Sequence, residues 1–182
     1  GVFFNAERLN KDYATFKFAN KPIICSYHEQ RSTADVLVYL DCDSLLMNDP
    51  SDLLIFDKDE VMVRPEDAKG HGTDPEMTDE HAPQWRELYG FLGIDTYPAV
   101  RTVMDYKEAL AYYNAGQIIA PRACGLFTKW NDNFLKSLDQ RLFRKPYLIM
   151  SDQMMLSATV VQMGLKVKYG FEGFNFPMNL HL

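Results

Sequence analysis

The run Val36-Leu-Val-Tyr-Leu-Asp-Cys-Asp-Ser44 constrains the fold of this chain more than any other stretch. Five consecutive apolar residues read as a strand buried on both faces. Asp41 and Asp43 then fall where that strand reaches solvent at its carboxyl end, the edge at which open α/β sheets bind ligands. Two carboxylates at i and i+2 on an extended chain point to the same side, close enough to share one hard divalent cation. A cation held this way implies a phosphorylated ligand. The alternative is a strand followed by an Asx-type turn, in which each carboxylate only caps local backbone N–H groups.

A chain of 182 residues is long enough for one domain with a sizeable core and too short for two, so residues 1–182 are expected to form one domain. The net charge of −6 offers no basic stripe to displace phosphate counterions, which excludes a general nucleic-acid binder. The densest basic cluster, Arg141 to Lys145, falls at the end of a predicted helix, where it complements the helix dipole. An acidic protein that binds a diphosphate must neutralise it locally, and a metal held by carboxylates does so. Cys25, Cys42 and Cys124 are odd in number and widely spaced, so neither a disulfide framework nor a CxxC site is expected. Their spacing, with no transmembrane run and no signal peptide, points to a cytoplasmic setting.

Residues 1–34 show little periodicity beyond a short extended segment at Pro22 to Ser26. Ser51 is expected to cap a short helix through Leu54 to Phe56, and Glu60 to Val63 reads as a strand. Arg64 to Ala82 turns polar, with Gly70, Gly72, Pro75 and six acidic residues, and opens a stretch over 64–100 read as an insertion or mobile lid. From Pro83 the apolar spacing Trp85, Leu88, Tyr89, Leu92 predicts a helix stopped by Gly93. Val100 to Met104 and Gln117 to Ala120 read as strands, with Asn114-Ala-Gly116 between them. A helix is expected over about 123–143, with Phe127, Trp130, Phe134 and Leu138 on one core-facing stripe. Ser151 then reads as the N-cap of a helix ended by Gly164, and Val167 to Tyr169 as a last strand. Alternating strands and helices without repeats indicate an α/β sandwich.

Four segments in order resemble the signature of nucleotide-sugar glycosyltransferases of the GT-A fold, in particular the retaining family of glycogenin and the bacterial lipopolysaccharide galactosyltransferases. They are Tyr39-Leu-Asp-Cys-Asp-Ser44, Tyr113-Asn-Ala-Gly116, Asp152-Gln153 at a helix start, and Phe174-Asn-Phe-Pro-Met-Asn179. The resemblance implies a GT-A-like (Rossmann-like), mixed and mainly parallel sheet flanked by helices. It implies a hexosyltransferase that takes a sugar from a nucleotide-diphosphate sugar, a UDP-sugar, to a saccharide, lipid or protein acceptor. Asp41 and Asp43 would hold Mn²⁺ or Mg²⁺, Asp41 also reaching a ribose hydroxyl. Asn114, Ala115 and Gly116 would line the sugar pocket, and Asp152 and Gln153 would face the anomeric carbon.

Two departures stand out. Met154 follows the Asp-Gln pair where several relatives carry a second acid, and the family's C-terminal His-x-x-Gly-x-x-Lys-Pro segment is missing, which leaves His181 as a weak candidate ligand. With only 40 residues before Asp41, the chain is expected to lack part of the nucleotide-binding segment and the C-terminal metal-histidine segment. His71 and His81 in the polar loop read as solvated residues.

Two other functions compete. A haloacid-dehalogenase-type phosphatase would use Asp41 as nucleophile and Asp43 as acid/base, but its pattern wants Thr or Val where Leu45 stands. A catalytically inactive GT-A-like module would bind its ligand without turnover. An EF-hand is excluded, because loop position six is Leu46 rather than Gly and position twelve is Asp52 rather than Glu.

Overall fold

The computed structural model describes residue 13 and residues 16–46, 49–54 and 56–169. Four helices and six strands follow one another in these segments: α1 (Asn20–Arg31), β1 (Val36–Leu40), β2 (Glu60–Pro65), α2 (Ala82–Leu92), β3 (Ala99–Arg101), β4 (Glu108–Leu110), β5 (Tyr113–Pro121), α3 (Leu126–Asp139), α4 (Ser151–Gln162) and β6 (Lys166–Lys168). Short 3-10 turns join several of them.

Four strands form one sheet in the order β1-β5-β2-β6, and β3 pairs with β4 in a separate ribbon. The sheet is mixed, where the resemblance implied a mainly parallel one. β5 runs antiparallel to both β1 and β2, and only β2 and β6 are parallel neighbours. Because β1 and β2 both oppose β5, they run in the same direction as each other and as β6. Their carboxyl ends therefore share one edge of the sheet, together with the start of β5.

The two faces of the sheet are unequal. Val61, Val63, Ile118 and Ala120 face the main core with the buried rings of Trp85, Tyr89, Trp130 and Phe134, whereas Met62 and Ile119 share a small second cluster with Val36, Leu53 and Phe56. This asymmetry corrects the reading of β1 as doubly buried. β1 is an edge strand, its residues are only partly covered, and Val38 is 47% exposed.

The helix α1 replaces the extended segment expected at Pro22 to Ser26. Pro22 sits in its first turn, where the missing N–H costs nothing. Glu29, buried on α1, accepts hydrogen bonds from the backbone N–H groups of Phe127 (3.1 Å) and Thr128 (2.6 Å) at the start of α3. A carboxylate on the positive end of a neighbouring helix dipole ties α1 to α3. The amphipathic helices follow the expected stripes: α2 buries Trp85, Leu88, Tyr89 and Leu92 and stops at Gly93 in the left-handed conformation, and α3 buries Phe127, Trp130 and Phe134.

The polar stretch after β2 is organised around Asp79. Its carboxylate takes hydrogen bonds from the Lys69 ammonium (2.5 Å), the Thr73 hydroxyl (2.8 Å), Asp74 N–H (3.0 Å) and His81 N–H (3.0 Å). Burial alone would raise the Asp79 carboxyl, but these donors outweigh it and hold the group well below the usual carboxylate range. Thr73 and Met77 are buried in this segment. His81, read as solvated, accepts or donates a 3.0 Å bond at Nδ1 with the Tyr147 hydroxyl.

Candidate active site

The shared edge of the sheet gathers most of the expected site residues. Asp41 continues the β1–β5 ladder, its N–H donating to Gly116 O at 2.8 Å. Asn114, Ala115 and Gly116 are therefore not a turn between elements, as their composition suggested. They are the second to fourth residues of β5, with Asn114 opposite Arg64 of β2. Beyond the end of β1, one side of β5 has no strand partner among the described residues, and α4 supplies acceptors there: Tyr113 N–H donates to Ser157 Oγ (2.8 Å) and Ala115 N–H to Gln153 Oε1 (3.2 Å). Every buried backbone donor needs such an acceptor, and here helix side chains supply it.

Ser151 does not cap α4. It is the helix's first residue, and its hydroxyl donates back to Leu148 O at 2.9 Å. The first turn is instead held by the core, where the Trp130 indole donates to Asp152 O at 3.0 Å.

Two residues that carry no signal in the sequence organise the site. Lys21, in the first turn of α1, places its ammonium 2.8 Å from Asp41 Oδ2 and 3.8 Å from Asp152 Oδ2. It thereby joins two carboxylates that lie far apart in the chain. Glu66, the first residue after β2, accepts a hydrogen bond from Asn114 Nδ2 at 3.1 Å and a short one from Gln153 Nε2 on the same oxygen. With Asn114 Oδ1 accepting from Gly116 N–H (2.8 Å), the side-chain amides of Asn114 and Gln153 are bonded on both sides. In this state Gln153 braces β5 against Glu66, where the resemblance placed it at the anomeric carbon. Glu66 stands at the carboxyl end of β2, but nothing in the sequence separates it from the other acids of that polar stretch.

The charges are uneven in exposure. Asp152 is buried, 5% exposed, and burial raises its carboxyl above the ordinary value against the lowering effect of Lys21. Tyr39 donates to Asp41 Oδ1 at 2.7 Å, and its hydroxyl is pushed well up by burial and by that bond. Asp43 is exposed, and so are its neighbours Cys42, Ser44, Leu45 and Leu46.

These donors can be weighed against Mn²⁺ or Mg²⁺. Asp41 and Asp43 offer the hard carboxylate oxygens such ions take, and Mg²⁺ is commonly held by one or two carboxylates with substrate phosphates and water completing the shell. Among the described residues no three His, Cys, Asp or Glu side chains are grouped to hold a metal by themselves. The Asp41 oxygens are shared with Lys21 and Tyr39, which leaves Asp43 as the more open donor. His181 and the Phe174–Asn179 segment lie outside the described residues.

A family model described as the Rhodobacterales glycosyltransferase domain matches residues 2–164 of the chain. No curated protein and no solved structure matches it.

Proposed function

The chain belongs to the Rhodobacterales glycosyltransferase domain family and is a glycosyltransferase; from that premise we propose that it moves a sugar from a nucleotide-diphosphate sugar, a UDP-sugar, to an acceptor with retention, on a GT-A-type Rossmann-like domain.

The observation that carries this reading is the Lys21 ammonium between Asp41 and Asp152 at the carboxyl ends of β1 and β2. Departure of a sugar from a nucleotide diphosphate leaves an anionic diphosphate on one side and an electron-poor anomeric carbon on the other. Such a step calls for a cation beside the first and a fixed carboxylate beside the second. Lys21 would supply the first, and Asp152 the second. Mn²⁺ or Mg²⁺ bound by Asp41 and Asp43 would neutralise the diphosphate further, with His181 as a possible added ligand by the resemblance. Asn114 and Gln153 are each bonded to Glu66 beside the start of β5, and Gly116 carries no side chain there that a sugar would have to displace.

Isothermal calorimetry of UDP with the full-length protein, with and without Mn²⁺, tests the donor reading. Binding that needs Mn²⁺ and weakens at least about tenfold in Asp43→Ala supports it. Absence of binding, or binding unchanged in Asp43→Ala, overturns it. Phosphate release from simple phosphomonoesters, abolished in Asp41→Asn, would favour the phosphatase. Binding without turnover across a panel of donors and acceptors would favour the inactive module.

A further inference from the structure

We propose a second binding site, for an anionic amphiphile, at the C-terminal end of α3. A cavity of about 600 Å³ opens there, lined by the apolar side chains of Leu138, Phe143 and Leu148 and by Arg141 and Arg144. Its volume falls within the range of small-molecule sites, and its lining pairs apolar walls with a few charged groups.

The charge at this place runs against the rest of the molecule. The chain carries a net −6, yet Lys136, Arg141, Arg144 and Lys145 crowd into one short stretch. Among the described residues none of these four has an acidic partner within ion-pair distance, and they differ from other unpaired surface cations in being grouped along one short segment beside the cavity. Asp139, the acid within the stretch, accepts a short hydrogen bond from the Tyr13 hydroxyl instead. The negative end of the α3 dipole is equivalent to roughly half a charge, so it answers at most one of the four cations. The remainder face solvent and are free to meet an anion.

The segment that presents the arginines is anchored. Arg141 N–H donates to Leu138 O (3.0 Å) and Leu142 N–H to Ser137 O (2.9 Å), while Leu142 and Phe143 are buried. Arg141 itself takes the left-handed backbone conformation, φ 52°, of the residue that follows a helix C-cap, and the two bonds just named close that end of α3. Guanidinium groups bind phosphate oxygens in a fork geometry, and the apolar walls fit a hydrocarbon body. The ligand class is therefore a phosphate ester carried on an apolar group.

Leu148 belongs to the 3-10 turn Tyr147–Met150 that runs directly into Ser151 and Asp152. A ligand anchored in the cavity would sit beside the turn that leads to the candidate catalytic carboxylate. Its use as an acceptor anchor rests on the glycosyl-transfer reading above; its binding does not.

The test is a calorimetric titration of the full-length protein with dihexanoyl phosphatidic acid below its micelle threshold, with inorganic phosphate and dihexanoyl phosphatidylcholine as parallel probes. The expected result is saturable binding of the phosphatidic acid that falls at least about tenfold in the Arg141→Gln/Arg144→Gln double variant. It should also weaken as KCl is raised from about 50 to about 300 mM. Leu148→Ser, which leaves both charges in place, should weaken phosphatidic acid and leave inorganic phosphate unchanged. Absence of saturable binding, full affinity in the double variant, or equal affinity for inorganic phosphate or the zwitterionic lipid overturns the proposal. The arginine side chains are exposed, so unfolding of the double variant is not expected, and its thermal midpoint provides the check. UDP binding measured on the same samples separates this site from the donor site, because either can fail while the other stands.

Discussion

The two ends of the candidate site are built in opposite ways. At the α4 end, Ser151 to Val160 is buried without interruption, Trp130 bonds the backbone of Asp152, and Gln153 spends its amide on Ala115 and Glu66. At the β1 end, the residues from Cys42 to Leu46 are exposed; Asp41 is tied down by Lys21, Tyr39 and Gly116, and Ser44 by its N–H to Asp41 O. A carboxylate in the first setting has its position set by the protein. One in the second is left to be completed by a ligand or a cation. The contrast teaches that identical side chains, Asp43 and Asp152, sit in opposite environments set by burial, and the proposed difference in their roles rests on that.

The comparison can be broken most directly at Trp130. Trp130→Ala should cost about 3–5 kcal/mol, because it empties a fully buried ring and removes the donor to Asp152 O. A urea midpoint within error of the wild type would mean the α4 end is not the rigid half. Asp152→Asn comes next. Sugar transfer should fall by at least about a hundredfold, measured as kcat/KM. Burial raises the Asp152 carboxyl, so its ionisation costs stability, and that cost grows as pH rises from the unfolded-chain value near 3.9 through the raised folded value. The asparagine has no such cost. The thermal midpoint of Asp152→Asn relative to the wild type should therefore climb between about pH 4 and 7, and a relative fall would show that attraction to Lys21 outweighs desolvation.

Glu66→Ala strips the shared acceptor from Asn114 and Gln153, and a loss of about 1–3 kcal/mol is expected. No change would show that the two amides rebond elsewhere and that Glu66 is not the brace described. The smallest effect on stability belongs to Asp43→Ala, within about 0.5 kcal/mol, while donor affinity is the property that drops. A large loss of stability there would erase the distinction between the two ends.

Much of the fold was legible where local signals and burial agree. Pro83, the apolar spacing from Trp85 to Leu92 and the glycine stop specified α2, and the aromatic stripe specified α3. The helix α1 was not legible. Its apolar residues form no strong stripe, and it is held by Glu29 capping α3 and by packing, neither of which is a local signal. The extension of β5 through Asn114 and Gly116 was hidden for a related reason. Both residues disfavour strands, and the backbone there is satisfied by side chains of α4.

Asp41 and Asp43 could be named from the strand's end itself, whereas Asn114, Gly116, Asp152 and Gln153 were named only through the ordered resemblance to a glycosyltransferase signature. Their convergence was decided in three dimensions. An antiparallel β5 brings the ends of β1 and β2 to one edge, and Lys21 and Glu66, silent in the sequence, bind the pieces together there. The physical reason is that an ion pair or a shared carboxylate depends on distances between segments remote in the chain, which residue patterns do not encode. Burial, likewise a property of the whole fold, then enclosed Asp152 and left Asp43 open to solvent.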